Sequence, residues 1–239
     1  MKRIFIIGFL STIIFASFDA QAQVKSYISL YGGFSNPEGS YKSTDYNNNQ
    51  SGFAKKGVTI GVDGAVYLYK NLGIGYTFSF QDQGKLNYND TYALALGYQN
   101  SYQADAASVN AYDRFHNWNL LVGPQYSFVY KDFILDLRAS AGVIDVTSTP
   151  ETETFLTGIT QQVDGFFQRR SHGYCFGYGG SAGLRYKLGD NWSVGVKGSY
   201  VTSDGTKVNV DGQTLQEGRL VTRMPIHEFQ TTLGISLNF

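Results

Sequence analysis

Long apolar runs are missing from this sequence beyond its first eighteen residues. Past Phe18 every apolar stretch is broken within a few residues by Gly, Ser, Thr or a charge, so the chain offers no helical membrane span. Charge is also scarce: Asp, Glu, Lys and Arg make up 16% of the chain, against about 25% in an average globular protein. The formal net charge is 0, which leaves no bulk electrostatic case for nucleic acid as a partner. The single cysteine, Cys175, excludes an internal disulfide; it is read as a small inward side chain of a strand. No G-x-S-x-G nucleophile elbow and no calcium-loop spacing occurs.

What is present is aromatic and glycine-rich. Phe, Trp and Tyr are 15% of the 239 residues, with 28 Gly and 4 Pro. That composition suits many amphipathic strands joined by turns. A mean hydropathy of −0.21 is too polar for a bundle of membrane helices but compatible with a barrel whose lumen is wet. The chain opens with Met1-Lys2-Arg3, an apolar run to about Phe18, and Ala20-Gln21-Ala22, the three regions of a cleavable secretory signal. Residues 1–22 are therefore expected to be removed, leaving residues 23–239 as one barrel domain. No Cys follows the apolar run, so a lipid anchor is not expected. Removing Lys2, Arg3 and Asp19 takes the formal charge from 0 to −1.

The mature chain reads as two-faced strands. From Phe229 to Phe239 one face is Phe229, Thr231, Leu233, Ile235, Leu237 and Phe239; the other is Gln230, Thr232, Gly234, Ser236 and Asn238. The same alternation predicts strands over 27–34, 57–69, 72–81, 116–130, 133–143, 172–187 and 192–202, about eight in all. Lys70-Asn71, Lys131-Asp132 and Gly189-Asp190-Asn191 read as tight turns. The other connections are long: about 35–56, 82–115, 144–171 and 203–225. Within the second, Tyr92 to Gly97 fits either a strand extension or a short helix. Val208 and Val210, flanked by Asp204-Gly205 and Asp211-Gly212, suggest a small hairpin. Pro124 interrupts its strand and suggests a bulge.

Alternating long and short connections, with an even strand count, are expected of an antiparallel up-and-down barrel in a membrane. A lipocalin-like soluble barrel would place its apolar stripe inside. Here the other face carries Gly, Ser, Thr, Asp, Arg and Lys, a poor lining for a dry cavity. Aromatics gather at both strand ends: Tyr69, Tyr130, Phe133, Tyr186, Trp192 and Phe239 at the short turns, and Phe34, Phe80, Trp118, Tyr174, Tyr200 and Phe229 at the long loops. Amphipathic rings settle there when the two ends lie at membrane interfaces.

With its signal, its eight amphipathic strands, three tight turns and final Phe239, the chain resembles the small OmpA/OmpX-type outer-membrane barrels. Its Gly- and Tyr-rich strands are similar to the outer-membrane β-barrel domain proteins of Bacteroidetes-type bacteria. The resemblance implies an all-β, eight-stranded antiparallel up-and-down transmembrane β-barrel with short periplasmic turns and long extracellular loops. It implies a place in the outer membrane of a Gram-negative cell, lipid and lipopolysaccharide as surroundings, and delivery to the barrel-assembly machinery through the C-terminal strand with Phe239 as signal. A peptidoglycan-binding domain is not expected after the last strand. The chain is expected to be monomeric, with an unknown extracellular ligand and a structural or loop-mediated binding role. A narrow channel, and a lipid A-modifying barrel enzyme, are the rival roles.

An eight-stranded barrel has a bore that side chains fill. Inward parity assigns it Asp63, Asp136, Arg138, Arg185, Lys197 and, near the outer end, Glu228, and charges so placed need partners. A salt-bridge plug follows, Asp63 and Asp136 meeting Arg138, Arg185 and Lys197. Lys55, Lys56, Arg114, Arg169, Arg170, Arg219 and Arg223 gather where strands meet long loops, an arrangement suited to lipopolysaccharide phosphates. His116, His172 and His227 lie at the same level with outward parity. They sit on non-adjacent strands, so no metal site is expected. Ser171 with His172, and His227 with Glu228, are adjacent along a strand and face opposite sides, so neither is a ready catalytic dyad. No cofactor is implied, and no catalytic residue is assigned.

Overall fold

Residues 24–48, 50–112, 114–149, 152–158, 165–168, 171–207 and 223–239 are described by the computed structural model of this chain. The signal segment, Val208 and Val210 lie outside them. Eight strands close into a barrel: β1 (Tyr27–Pro37), β2 (Gly57–Tyr69), β3 (Leu72–Lys85), β5 (Arg114–Tyr130), β6 (Phe133–Thr149), β9 (Ser171–Lys187), β10 (Trp192–Lys207) and β11 (Arg223–Asn238). Each pairs antiparallel with its neighbour in the chain, and β1 closes the ring on β11 from Tyr27↔Asn238 to Pro37↔Glu228. Several strands overrun their expected ends at the long-loop side, β6 to Thr149 and β10 to Lys207.

The side-chain alternation is the one the sequence carries. Leu30, Ile60 and Leu233 face outward with relative exposures of 66%, 63% and 68%, and Leu135 on the far side is 40% exposed. Inward neighbours Thr59, Asp136 and Thr232 are buried. A continuous band of exposed leucine, isoleucine, valine and aromatic side chains around a closed barrel is a surface for lipid, not water. Rings mark both edges of the band. Phe80 and Trp118 pack at 4.9 Å on the long-loop side, and Phe133 and Tyr186 at 5.0 Å on the short-turn side.

Two details differ from the sequence reading. Pro124 makes no bulge: Val122↔Ala141 and Gln125↔Arg138 share one register, so the ladder skips the residue that lacks an N–H without shifting. Tyr69 shares the strand parity of inward Asp63 and Tyr67 yet is exposed, because a register shift between Tyr67 and Tyr69 turns it out. The two shortest turns put Lys70 (φ 46°) and Lys131 (φ 53°) in the left-handed region.

Above the barrel the long connections fold. The second holds α2 (Tyr88–Tyr102), which includes Tyr92 to Gly97, and β4 (Ala106–Ala111). Asn87 starts the helix with a capping box: its side chain accepts from Asp90 N at 3.1 Å while Asp90 Oδ2 accepts from Asn87 N at 2.9 Å. β4 pairs with β7 (Thr152–Thr157), which pairs with β8 (Gly165–Gln168), a small sheet that polar, short segments did not announce. A four-residue helix, α1 (Gly39–Lys42), drops Tyr41 over the barrel mouth. Tyr41, Phe53, Leu94, Tyr98, Val109 and Leu156 join Phe115, Leu121, Ile144, Val146 and Ile226 of the barrel wall in one apolar cluster. The molecule's main dry core is thus a lid over one end, while its barrel interior is polar.

Candidate functional site: a charged bore under a packed lid

Register brings the bore's charges to the same level. Asp63 on β2 pairs with Thr77 on β3, Arg138 on β6 with Gln125 on β5 and Ser181 on β9, and Lys197 on β10 with Thr232 on β11. Arg138 crosses the bore to Asp63, Nη1 to Oδ1 at 2.8 Å and Nη2 to Oδ2 at 3.2 Å. It also donates to Gln125 Oε1, Thr77 Oγ1 and the Tyr76 and Gly64 carbonyls. Lys197 Nζ donates to the same Asp63 Oδ1 at 2.7 Å. Lower down, Arg185 Nε reaches Asp136 Oδ2 at 2.5 Å, and its guanidinium lies 3.7 Å from the Tyr27 ring centre. Asp136 Oδ1 takes further bonds from Ser127 and Tyr67.

Glycine makes the crossing possible. A Cβ on Gly75 would stand 2.1 Å from Arg138 Nε, so a bare position on β3 lets the guanidinium lie flat against the wall. What space remains is small. A cavity of about 40 Å³ lies beside the ion pairs and one of about 20 Å³ above it, between Asn119, Ser199 and Gln230. Water-sized voids need about 10–15 Å³ each, so each has room for only a few solvent molecules.

Glu228 stands apart from these ion pairs. It is fully buried in the bore but meets no cation among the described residues. Oε1 accepts from Gln230 at 2.8 Å and Asn119 at 3.2 Å; Oε2 accepts from Gln83 at 2.8 Å and Ser35 at 3.1 Å. All four donors are neutral, three amides and one hydroxyl, and together they satisfy both carboxyl oxygens without a cation. Just above, Asn117 Nδ2 donates to Tyr41 OH at 3.2 Å. Burial in the lid pushes the Tyr41 phenol well above its ordinary value, with the Glu228 carboxylate adding to the effect.

The rim is less cationic than its sequence suggests. Lys55 is taken by Asp90 of the capping box at 2.5 Å, and Arg114 by Asp82 at 2.9 Å. Lys56 lies over the Phe34 ring at 5.0 Å and Arg223 is exposed. Arg169, Arg170 and Arg219 lie outside the described residues. The histidines bond locally: His116 with Thr147 at 3.1 Å, His172 with Asp145 at 2.5 Å, His227 with Thr202 at 2.7 Å. The His172–Asp145 pair was missed; His172 was read as the start of a strand, but Asp145, on the neighbouring strand, was read as loop. Cys175 is a free, half-buried thiol, its Sγ 3.7 Å from the Ile144 carbonyl oxygen. Phe239 is exposed, its N–H bonded to Ser26 O at 2.8 Å.

No known protein family matches the chain, and no curated protein does. Among solved structures it is similar to Neisserial surface protein A, at 12% identity over 90% of this chain and 97% of that one, with a TM-score of 0.45. It is similar also to Ail of Yersinia pestis, at 11% identity over 91% and 100%, TM-score 0.42, and to OprG of Pseudomonas aeruginosa, at 12% over 92% and 99%, TM-score 0.41. The chain's own meander, closed seam and outward apolar band make its fold that of the small OmpA/OmpX-type outer-membrane barrels.

Proposed function

We propose that this protein is a closed outer-membrane barrel that works as an envelope component and through its folded long-loop lid, without catalysing a reaction. The carrying observation is the Arg138–Asp63 pair, which ties opposite walls together and fills the bore. Short turns face the periplasm and the lid faces outward in this reading. The final strand, ending in Phe239, serves assembly, and of the rim cations picked out from the sequence Lys56 and Arg223 are the described ones left for lipopolysaccharide phosphates. The chain acts as a monomer, its greasy band occupied by lipid. The histidines' partners, Thr147, Asp145 and Thr202, support local structure and supply no serine nucleophile.

Planar-bilayer recording of the purified protein tests the closed bore: only small, irregular currents are expected, whereas a large, stable conductance makes it a channel. Deleting residues 86–113, followed by assays of cell adhesion and envelope integrity, tests the lid. Loss of adhesion with an intact envelope is the expected result; unchanged adhesion removes the lid from the role.

A further inference from the structure

Lys197 uses far less of its donor capacity than the two arginines beside it. An ammonium carries three donors; this one gives one hydrogen bond, to Asp63 Oδ1, and rests 4.5 Å from the Tyr31 ring centre. The nearby acceptors are already occupied. Asp63 Oδ1 also accepts from Arg138 and Thr77, and Oδ2 from Tyr27 and Arg138. Both oxygens of Asp136 accept from Arg185, and Oδ1 from Ser127 as well.

Charge points the same way. Arg138, Arg185 and Lys197 face Asp63 and Asp136, so the middle of the bore carries one positive charge in excess. Glu228 balances the bore as a whole, but it lies four residues along β11 from Thr232, the register partner of Lys197, or about 13 Å away. Its pull on Lys197 is roughly a third of that of a charge at 4 Å, and its oxygens are held by four other donors. Beside Lys197 lies the cavity of about 40 Å³, also lined by the hydroxyl residues Ser181 and Ser236. It has the volume of one small ion and a water or two.

We propose that this cavity binds a small monovalent inorganic anion of the chloride class, held by Lys197 with hydroxyl donors from Ser181 and Ser236. The cavity is too small for a phosphate ester or a carbohydrate. An ion there completes the donor set and offsets the excess positive charge.

Crystals of the whole protein grown in bromide give a direct readout. An anomalous peak in the bore beside Lys197 Nζ is expected; bromide confined to the outer surface overturns the proposal. Thermal unfolding in detergent, with chloride replacing gluconate at fixed ionic strength, gives an independent one. The wild-type transition rises saturably by several degrees, as for any ligand that binds only the folded state. K197M loses that response, and K70M, altered in a surface turn, keeps it. A response that survives in K197M marks surface screening and overturns the proposal. Should K197M not fold, the bromide peak in the wild type decides alone. A conducting barrel would contradict the closed-bore reading and leave this test unaffected.

Discussion

Arg138 and Asp63 meet across the barrel from β6 and β2, strands with no backbone pairing between them, through two hydrogen bonds of 2.8 and 3.2 Å. Breaking such a pair from one side leaves a buried charge, which costs about 3–5 kcal/mol. Arg138→Met is expected to destabilise by that order in urea titrations followed by Trp118 and Trp192 fluorescence. Asp63→Asn alone is expected to cost more still, because it strips the carboxylate from both Arg138 and Lys197, and the double variant Asp63→Asn/Arg138→Met is expected to lose less than the sum of the two. Additive losses would show that the two residues do not act as a pair.

Gly75 is part of the same contact. Gly75→Ala puts a methyl where Arg138 Nε lies, and Arg138 is held by partners on several sides. Overpacking of this kind costs about 1–3 kcal/mol. The same titration is expected to show that loss for Gly75→Ala and almost none for Gly32→Ala, whose added methyl meets only the Thr59 carbonyl oxygen at 3.7 Å, an ordinary contact.

The lid should loosen without the barrel. Asn87→Ala removes one half of the α2 capping box, worth about 1 kcal/mol. Faster proteolysis within residues 86–113 is expected, with the barrel's thermal transition unchanged. A fall in that transition instead would mean that lid and barrel unfold together.

Tyr41 gives the lid a pH dependence whose sign is fixed. Its phenol ionises at higher pH in the folded lid than the ordinary value of about 10. The folded state therefore holds the proton more tightly, and its stability is complete below pH 10 and declines as pH rises above it. Hydrogen exchange of residues 39–54 is expected to accelerate between about pH 10 and 11. In Tyr41→Phe the acceleration should be smaller; equal acceleration would place the effect on other tyrosines.

Much of this was legible in the sequence because a strand's period of two needs no knowledge of its neighbours. Parity alone set Leu30, Ile60 and Leu233 outside, and put Asp63, Asp136, Arg138, Arg185 and Lys197 inside. The identity of Glu228's partners was not legible, because Gln83, Asn119 and Gln230 come from three strands and amides carry no charge to pair by sign. Lys55 and Arg114 read as free rim cations because Asp90 and Asp82 sat in what looked like loop. The helix α2 was obscured by Tyr, Asn and Ala without a clear apolar period; its Asn87–Asp90 capping spacing was the signal that could have found it. His172 and Asp145 are joined only by the register of β6 and β9, which sequence spacing does not contain.

On the outward face, Leu233→Arg is expected to cost about 2–4 kcal/mol in bilayers, whereas Thr232→Ser, one residue on and facing the bore, changes little. Folding yields into lipid vesicles check the pair. Equal sensitivity at both positions would argue against a lipid-facing stripe.

Spin labels placed singly at residues 229–237, in a Cys175→Ser background reconstituted in bilayers, test the two-sided wall most directly. Accessibility to oxygen dissolved in the lipid should alternate, high at 229, 231, 233, 235 and 237 and low at the residues between them. A flat profile, or one with Thr232 and Ser236 in lipid and Leu233 shielded, would contradict a polar bore enclosed by an apolar outer face.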